Sequence, residues 1–370
     1  MTKMYLNSSI HKTSKEIGSY FYFSEDILYD VNQNWLCMPK DYSYLSTCRS
    51  AINICLKQIK SDKKIALLPS FTCHAVVEPF IKNGYLVFPY AIKENFEIDI
   101  DRLLKQLETV KPNVILIHDY FGINTNRKIK DFGVEKILKK MKIQVIVDRT
   151  QSMFSTYQQI RSDYCVGSIR KWLGIPDGAF VNLKVNVVSE DKELSDSKSK
   201  AMLYKNDYIV KNKGDKETLL KLYREAESIL DARSCTYSMS KVSEKIISNT
   251  SFEHLKEARR RNYEILAKGL ADCNFIKIPC AKLEENEVPF YFPVFVQEKR
   301  TELQKYLADN EVYATVIWAC PDNFLNLIDE ISNRIYKEIL CIPCDQRYTE
   351  EDMKYIIDLM MNFKEEKKYE

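Results

Sequence analysis

Glycine is scarce in this chain, with nine glycines among 370 residues. The sequence contains neither a G-x-G-x-x-G motif nor a Walker-type loop, so we do not expect a phosphate site built only from a glycine-rich loop. It also lacks a signal-peptide-like apolar start and any stretch approaching the ~20 apolar residues of a membrane span. These absences predict a cytoplasmic protein without a membrane partner.

A strong excess of either charge is also missing. The chain has 55 basic and 52 acidic side chains, a net charge of +3, which gives no electrostatic footprint for nucleic acid. Its eleven cysteines are expected to be reduced thiols. Cys341 and Cys344 have the spacing of zinc ligands, but no second pair lies nearby at suitable spacing, so we predict no metal site.

Short apolar runs alternate with amphipathic segments through the first half of the chain. The runs predict strands, and the 3.6-residue periodicity between them predicts helices. This alternation is typical of an α/β fold with a mostly parallel central sheet covered by helices. The predicted strands are 65–69, 85–90, 114–118, 143–148 and 180–185, and the predicted helices are one starting near Ser46, then 75–83, 100–110 and 134–142.

The second half of the chain is more polar. Residues 189–216 are predicted to be a mobile excursion, and residues 242–270 a long charged helix that crosses to a smaller α+β domain. The last helix is expected to have Thr349 as its N-cap, with Asp352 three residues later. Further helices are predicted at 218–231 and 301–310, and further strands at 290–296 and 314–318. The predicted domains are an N-terminal segment 1–45, a large domain 46–240, a connecting helix 241–270 and a small domain 271–370.

Two residues suggest the chemistry. Lys171 lies in the segment Ser168-Ile-Arg-Lys171-Trp-Leu-Gly, and upstream an apolar strand ends on Asp148. In a parallel sheet, ligands bind beyond the carboxyl ends of the strands. Pyridoxal phosphate enzymes need a lysine that forms a Schiff base with the cofactor and a carboxylate that keeps the pyridine nitrogen protonated. We therefore predict that Lys171 and Asp148 are catalytic.

The motifs around these two residues resemble the DegT/DnrJ/EryC1/StrS family of sugar aminotransferases. The similar segments run from about Ser46 to Tyr355. They include Ser46-Thr-Cys-Arg-Ser50-Ala, Pro69-Ser-Phe-Thr-Cys73-His74, His118-Asp-Tyr-Phe-Gly122, Val147-Asp148-Arg-Thr-Gln151, Tyr237-Ser-Met-Ser240 and Leu340-Cys-Ile-Pro343.

The resemblance implies a fold-type-I aminotransferase that binds pyridoxal 5'-phosphate. Its phosphate contacts would come from Arg49, Ser50 and Ser168, and its phenolic oxygen would accept a hydrogen bond from Gln151. For Ser50 the alternative is a plain helix N-cap, for Arg49 a solvated side chain, and for Gln151 an exposed turn amide. His118 is interpreted as a structural residue at a strand end.

Four positions depart from the family pattern. Ser168 lies three residues before Lys171, where the family serine commonly lies five before it, and the glycine pair after the lysine is reduced to Gly178-Ala179. Cys73 stands where the family has an aromatic residue stacked on the cofactor, and His74 is the alternative source of a ring. Thr236 falls near the family asparagine that reaches the cofactor of the neighbouring subunit. These departures leave the cofactor prediction intact and leave the substrate open.

The resemblance implies amination of a nucleotide-linked keto sugar, with an amino acid such as glutamate as donor. It also implies a homodimer with shared active sites. Two alternatives stay open from the sequence: a pyridoxal phosphate enzyme acting on a non-sugar ketone, and a non-catalytic regulatory or scaffold protein with the same fold.

Overall fold

The computed structural model describes residues 13–29, 39, 41–158, 160–187, 189–233 and 235–363. Part of the predicted N-terminal segment 1–45 therefore lies outside the described residues. Within the described ranges, no helix combines the length and the apolar character needed to cross a bilayer.

Seven strands of the described residues form the larger sheet, in the order β1-β7-β6-β5-β4-β2-β3. Strands β3, β2, β4, β5 and β6 are parallel, and β7 runs antiparallel between β6 and β1. A second sheet has the antiparallel order β10-β9-β8. The strands are β1 (Ser43–Leu45), β2 (Ile65–Pro69), β3 (Leu86–Tyr90), β4 (Val114–His118), β5 (Gln144–Asp148), β6 (Tyr164–Ser168), β7 (Ala179–Val181), β8 (Ile276–Lys277), β9 (Phe292–Val296) and β10 (Ile339–Ile342).

Helices pack on both faces of the larger sheet and around the second one. The part of the chain that the structure describes also contains three short 3-10 turns, at Glu25–Leu28, Ile169–Lys171 and Asp322–Phe324. The helices are α1 (Cys48–Gln58), α2 (His74–Lys82), α3 (Ile100–Val110), α4 (Arg127–Asp131), α5 (Val134–Lys140), α6 (Lys192–Val210), α7 (Lys216–Ala232), α8 (Lys241–Ser248), α9 (Phe252–Gly269), α10 (Arg300–Asp309), α11 (Glu330–Glu338) and α12 (Glu350–Asn362).

The central strands are apolar because both of their faces are covered. All five residues of β4 are buried, and alternate side chains enter different cores. Ile115 and Ile117 join the core shared with the second sheet, whereas Val114 and Leu116 join the core beneath α1 and α2. This two-sided burial explains the continuous apolar runs and confirms the predicted mostly parallel sheet.

The prediction of a mobile excursion at 189–216 is wrong. Residues Lys192–Val210 form α6, which packs against α7. Its buried face carries Lys198, Ala201, Met202 and Lys205 at helical spacing. The periodicity escaped detection because two of these four side chains are lysines, which are normally counted as polar.

The predicted long helix 242–270 is two helices. Helix α8 ends at Ser248, and α9 starts after Ser251, whose hydroxyl accepts a hydrogen bond from the His254 amide as an N-cap. The cap provides a favourable helix start at a break in the pattern. Residues 241–269 therefore form two consecutive helices joined by a short turn.

Two predicted strands also differ from the structure. The predicted strand 314–318 is irregular apart from an isolated bridge between Thr315 and Cys341, and the strand predicted at 180–185 ends at Val181. The final helix begins as predicted, with a capping box between Thr349 and Asp352. The Asp352 carboxylate also accepts hydrogen bonds from the Thr13 and Ser14 amides, at 2.8 and 2.9 Å, which ties the N-terminal segment to α12.

Candidate functional site

Lys171 lies on a short, firmly anchored turn after β6. The amides of Ile169 and Arg170 both donate to the Gly178 carbonyl, at 2.9 and 3.2 Å. The indole of Trp172 donates to the Thr150 carbonyl at 2.7 Å. These bonds fix the turn against the end of β5. The half-buried Lys171 side chain lines two cavities.

Asp148 ends β5 and is buried. Its Oδ1 accepts a hydrogen bond from the Thr150 amide at 2.8 Å, and its Oδ2 lies 3.5 Å from Nδ1 of His118. His118 in turn contacts the Thr72 hydroxyl through Nε2, at 2.8 Å. Burial lowers the pKa of His118, and the Asp148 carboxylate only partly opposes this, so the ring is biased toward its neutral form.

The smaller of the two cavities, which we call the inner cavity, has a volume of about 80 Å³. Lys171 and Asp148 both line it, so the structure brings the two predicted catalytic residues together. Ser168 and the first residues of α1 complete the wall, together with Cys73 at the start of α2. Helix N-termini present free amides and a partial positive charge, which suits a phosphate dianion.

Thr47, and not Ser50, is the N-cap of α1. Its hydroxyl accepts from the Ser50 amide at 3.2 Å and donates to the Ser50 hydroxyl at 3.0 Å. Ser50 is therefore occupied by Thr47 and does not line the inner cavity. The amides of Cys48 and Arg49 precede it in the first turn and are the ones that a phosphate would meet.

Arg49 lines the inner cavity, but its guanidinium is engaged elsewhere. It pairs with Glu78 at 3.3 Å and with Asp231 at 2.7 Å. Burial lowers the pKa of Arg49, but these two carboxylates outweigh that effect and raise it overall. Arg170, by contrast, lines both cavities and has no side-chain hydrogen bond or ion pair with any described residue.

The structure separates the two residues considered for ring stacking. Cys73 lines the inner cavity, where burial raises the pKa of its thiol and the nearby Lys171 charge opposes the rise. His74 begins α2 and is exposed, away from both cavities. Trp318 lines the larger cavity and lies over His118, with 5.9 Å between ring centroids.

Of the remaining predicted residues, Gln151 and Ser168 line a cavity and Thr236 does not. Gln151 is buried and lines the larger cavity, and its Oε1 accepts from the Phe121 amide at 2.8 Å, which leaves its NH₂ group as the donor for a ligand. Ser168 is buried at the inner cavity. Thr236 lines neither cavity, although its neighbour Tyr237 accepts from the Ser46 amide beside the start of α1.

The larger cavity, which we call the outer cavity, has a volume of about 520 Å³. Basic side chains outnumber acidic ones along its wall, seven to three, so it favours an anionic ligand. The acids are Glu16, Glu227 and Asp345, and the bases are Arg170, Lys171, Lys198, Lys205, Lys216, Arg259 and Arg347.

Several of these bases are buried, which their sequence context did not indicate. Arg259 stands in the run Arg259-Arg260-Arg261, a pattern typical of a solvated helix face. It is nevertheless 1% exposed, stacks on Trp172 and donates to the carbonyls of Pro289 and Phe290. Burial lowers the pKa of Lys205 to about 7, with a further contribution from Arg347.

This set of groups fits a phosphorylated pyridine aldehyde. Lys171 and Asp148 meet at one small cavity, the start of α1 faces the same space, and Gln151 offers a hydrogen-bond donor beside it. The fold and the site together define a fold-type-I pyridoxal phosphate enzyme.

Comparison with known proteins supports the resemblance to one family of aminotransferases. The model of the DegT/DnrJ/EryC1/StrS aminotransferase family matches residues 232–361. The predicted family resemblance, the aminotransferase class and its dependence on pyridoxal phosphate are thereby confirmed. No curated protein sequence matches the chain.

Solved structures share the fold at low sequence identity. The sugar aminotransferase CalS13 from Micromonospora echinospora is 14% identical with a TM-score of 0.63, and the similarity covers 87% of each chain. PseC from Helicobacter pylori, an aminotransferase involved in pseudoaminic acid biosynthesis, is 16% identical with a TM-score of 0.66, covering 94% of this chain and 98% of its own. NtdA from Bacillus subtilis, solved with bound PMP, is 16% identical with a TM-score of 0.62, covering 86% and 72%. The predicted fold is confirmed.

Proposed function

We propose that this enzyme transfers an amino group from an amino acid such as glutamate to a nucleotide-linked keto sugar. The observation that carries the proposal is the position of Lys171. Its side chain lines the inner cavity together with Asp148 and also lines the large basic outer cavity. One amine can therefore serve a cofactor on one side and a bulky anionic substrate on the other.

When bound, pyridoxal phosphate supplies an electron sink that stabilises negative charge at the substrate carbon. Lys171 is suited to moving a proton at that carbon, because it is half-buried and no described carboxylate pairs with it. Asp148 would hold the pyridine nitrogen protonated. The Thr150 amide and His118 hold the Asp148 carboxylate in place for this task.

The phosphate would bind at the start of α1, with the amides of Cys48 and Arg49, the hydroxyl of Ser168 and the guanidinium of Arg170 as its partners. Gln151 would donate to the phenolic oxygen. We assign the charge contact to Arg170 instead of Arg49 because Arg49 is already paired with two carboxylates.

The outer cavity supports a nucleotide-linked substrate. The cavity volume suits a ligand of that size, and the excess of basic side chains suits the charges of a diphosphate. The similarity to CalS13, a sugar aminotransferase, and to PseC, an aminotransferase of pseudoaminic acid biosynthesis, supports the same substrate class.

Two further features of the proposal concern the whole assembly. We expect a homodimer in which the segment around Thr236 approaches the neighbouring subunit, and a cytoplasmic location. Sedimentation of the purified protein should give twice the chain mass of 43.4 kDa.

One spectroscopic experiment tests the central proposal. The purified wild type, with added cofactor, should absorb visible light, and Lys171→Ala should lose that band while remaining folded. Adding glutamate should change the wild-type spectrum, and adding a nucleoside diphosphate keto hexose should restore it. A wild type that gains no band, or whose spectrum the keto hexose does not restore, contradicts the proposal.

A further inference from the structure

Glu16 is a buried acid on the wall of the outer cavity. Its side chain is 3% exposed, and its Oε1 has no hydrogen-bond donor among the described residues. The backbone that follows Glu16 is fixed, because the Ile17 amide donates to the Glu311 carbonyl at 2.9 Å and the Gly18 amide donates to the Tyr348 hydroxyl at 2.7 Å. The residue is therefore anchored through its neighbours, and one oxygen of its carboxylate is unsatisfied.

Two lysines flank this carboxylate. Nζ of Lys205 lies 3.5 Å from Oε2, and Nζ of Lys216 lies 3.6 Å from Oε1. Both amines have closer partners elsewhere: Lys205 donates to the Ser19 hydroxyl at 2.5 Å, and Lys216 donates to the hydroxyl of Tyr313. The lysines balance the charge of Glu16 without providing Oε1 with a hydrogen bond.

An unsatisfied buried oxygen calls for an explanation, because such groups are rare in folded proteins and costly. Glu16 lines the outer cavity, although Oε1 itself is turned away from solvent. A ligand in the cavity can supply the missing donor when the carboxylate rotates to present this oxygen. A ligand ammonium group would be repelled by the two flanking lysines and by the excess of basic side chains along the cavity wall. A neutral hydroxyl group would not be repelled.

We propose that Glu16 is a specificity-determining residue of the outer cavity, whose Oε1 accepts a hydrogen bond from a ring hydroxyl of the keto sugar. Ser19 and Lys205 lie beside it and can contact a neighbouring oxygen of the same ring. This inference rests on the proposed function, since it assigns one part of the substrate to one part of that site.

Calorimetric titration can test the contact without turnover. In the absence of an amino donor, the cofactor-loaded enzyme cannot aminate a ketone, so the dissociation constant of a nucleoside diphosphate keto hexose can be measured directly. Glu16→Ala should weaken binding about ten-fold or more, the effect expected for a hydrogen bond to a charged group. Glu16→Gln keeps a carbonyl acceptor, so its dissociation constant should lie between those of wild type and Glu16→Ala.

Analogues that each lack one ring hydroxyl identify the contact. For one analogue, wild type and Glu16→Ala should bind equally, because the hydroxyl that Glu16 recognises is gone. Glu311→Gln is the matched control. It removes another acidic partner of Lys216 without removing a cavity-lining side chain, and should change the dissociation constants far less than Glu16→Ala does.

The donor half of the reaction separates the two proposals. Glutamate should change the cofactor spectrum at the same rate in Glu16→Ala as in wild type. A wild type that binds and aminates no keto hexose overturns the proposed function, and this inference with it. Two outcomes overturn only the role of Glu16 while wild type is active. In the first, Glu16→Ala binds the keto hexose as tightly as wild type does. In the second, Glu16→Ala binds every analogue more weakly than wild type does, and by the same factor. If Glu16→Ala does not fold, Glu16→Gln decides by the same comparison.

Discussion

His118 and Asp148 face each other across two neighbouring parallel strands, as directly paired residues of β4 and β5. Nδ1 of the histidine lies 3.5 Å from Oδ2 of the aspartate, and Nε2 lies 2.8 Å from the Thr72 hydroxyl. A chain of three polar side chains thus runs beneath the predicted cofactor site. Because every member is buried, the carboxylate has little freedom to turn away.

Replacing His118 should weaken the hold of Asp148 on the cofactor. We expect His118→Phe to raise the dissociation constant for pyridoxal phosphate about three-fold, because it removes the polar ring that faces the carboxylate at 3.5 Å. His118→Asn keeps a donor and should recover part of the loss. Absorbance titration with the cofactor measures both, and equal affinities in wild type and His118→Phe would contradict a positioning role.

The same histidine should make stability depend on pH. Its pKa in the folded protein is lowered from the ordinary 6.5, so just below pH 6.5 the unfolded chain binds a proton that the folded chain does not. The contribution of His118 to stability therefore rises with pH through this window and levels off above it. The difference in unfolding free energy between about pH 5.5 and about pH 7.5 should be smaller in His118→Asn. An equal difference would show that His118 titrates normally when folded.

Arg170 and Arg49 should differ in their effect on cofactor affinity. Arg170→Ala removes an unpaired charge at both cavities, and we expect it to weaken pyridoxal phosphate binding by about 1.5–3 kcal/mol. Arg49→Ala removes a residue already paired with Glu78 and Asp231 and should weaken binding less. Fluorescence titration of both variants decides between them, and the reverse order would reassign the phosphate contact to Arg49.

His74 should be dispensable for cofactor binding. It is exposed and lines neither cavity, so His74→Ala should keep the visible spectrum and the cofactor affinity of the wild type. Cys73→Ala removes a side chain that lines the inner cavity, so it should change the visible spectrum, the cofactor affinity or both. If His74→Ala alters the visible spectrum and Cys73→Ala does not, His74 contacts the cofactor and this prediction is wrong.

Asp177 should be a structural requirement of the turn that carries Lys171. It is buried and accepts hydrogen bonds from the Ser240 amide, at 3.1 Å, and from the hydroxyls of Ser240 and Ser243, at 2.7 and 2.6 Å. Asp177→Ala leaves these donors unsatisfied and should destabilise the protein by about 2–4 kcal/mol. Urea denaturation measures the loss, which Asp177→Asn should reduce.

The sequence predicted the strands well because their apolar runs reflect burial on both faces. It also placed Asp148 correctly, since the ends of parallel strands converge on one edge regardless of sequence distance. The roles of individual side chains were harder to predict. Nothing near Arg49 in the sequence shows that Asp231 will pair with it, and nothing near His118 shows that it faces Asp148.

Helix α6 was missed for a related reason. Its buried positions follow the spacing of an ordinary amphipathic helix, but Lys198 and Lys205 occupy two of them. A lysine is buried only where an acid or a cavity receives its amine, and those partners, Glu227 and Glu16, come from other parts of the chain. Hydrophobic periodicity cannot detect a face whose burial depends on such partners.

The excess of basic side chains in the outer cavity bears on the direction of the proposed reaction. Amination converts a neutral carbonyl into an ammonium group, so the product carries one more positive charge than the substrate it replaces. In a cavity where basic residues outnumber acidic ones seven to three, that added charge is repelled. The keto substrate should therefore bind more tightly than the amino product. The same charge distribution that attracts the ligand would hasten its departure once the nitrogen has been transferred.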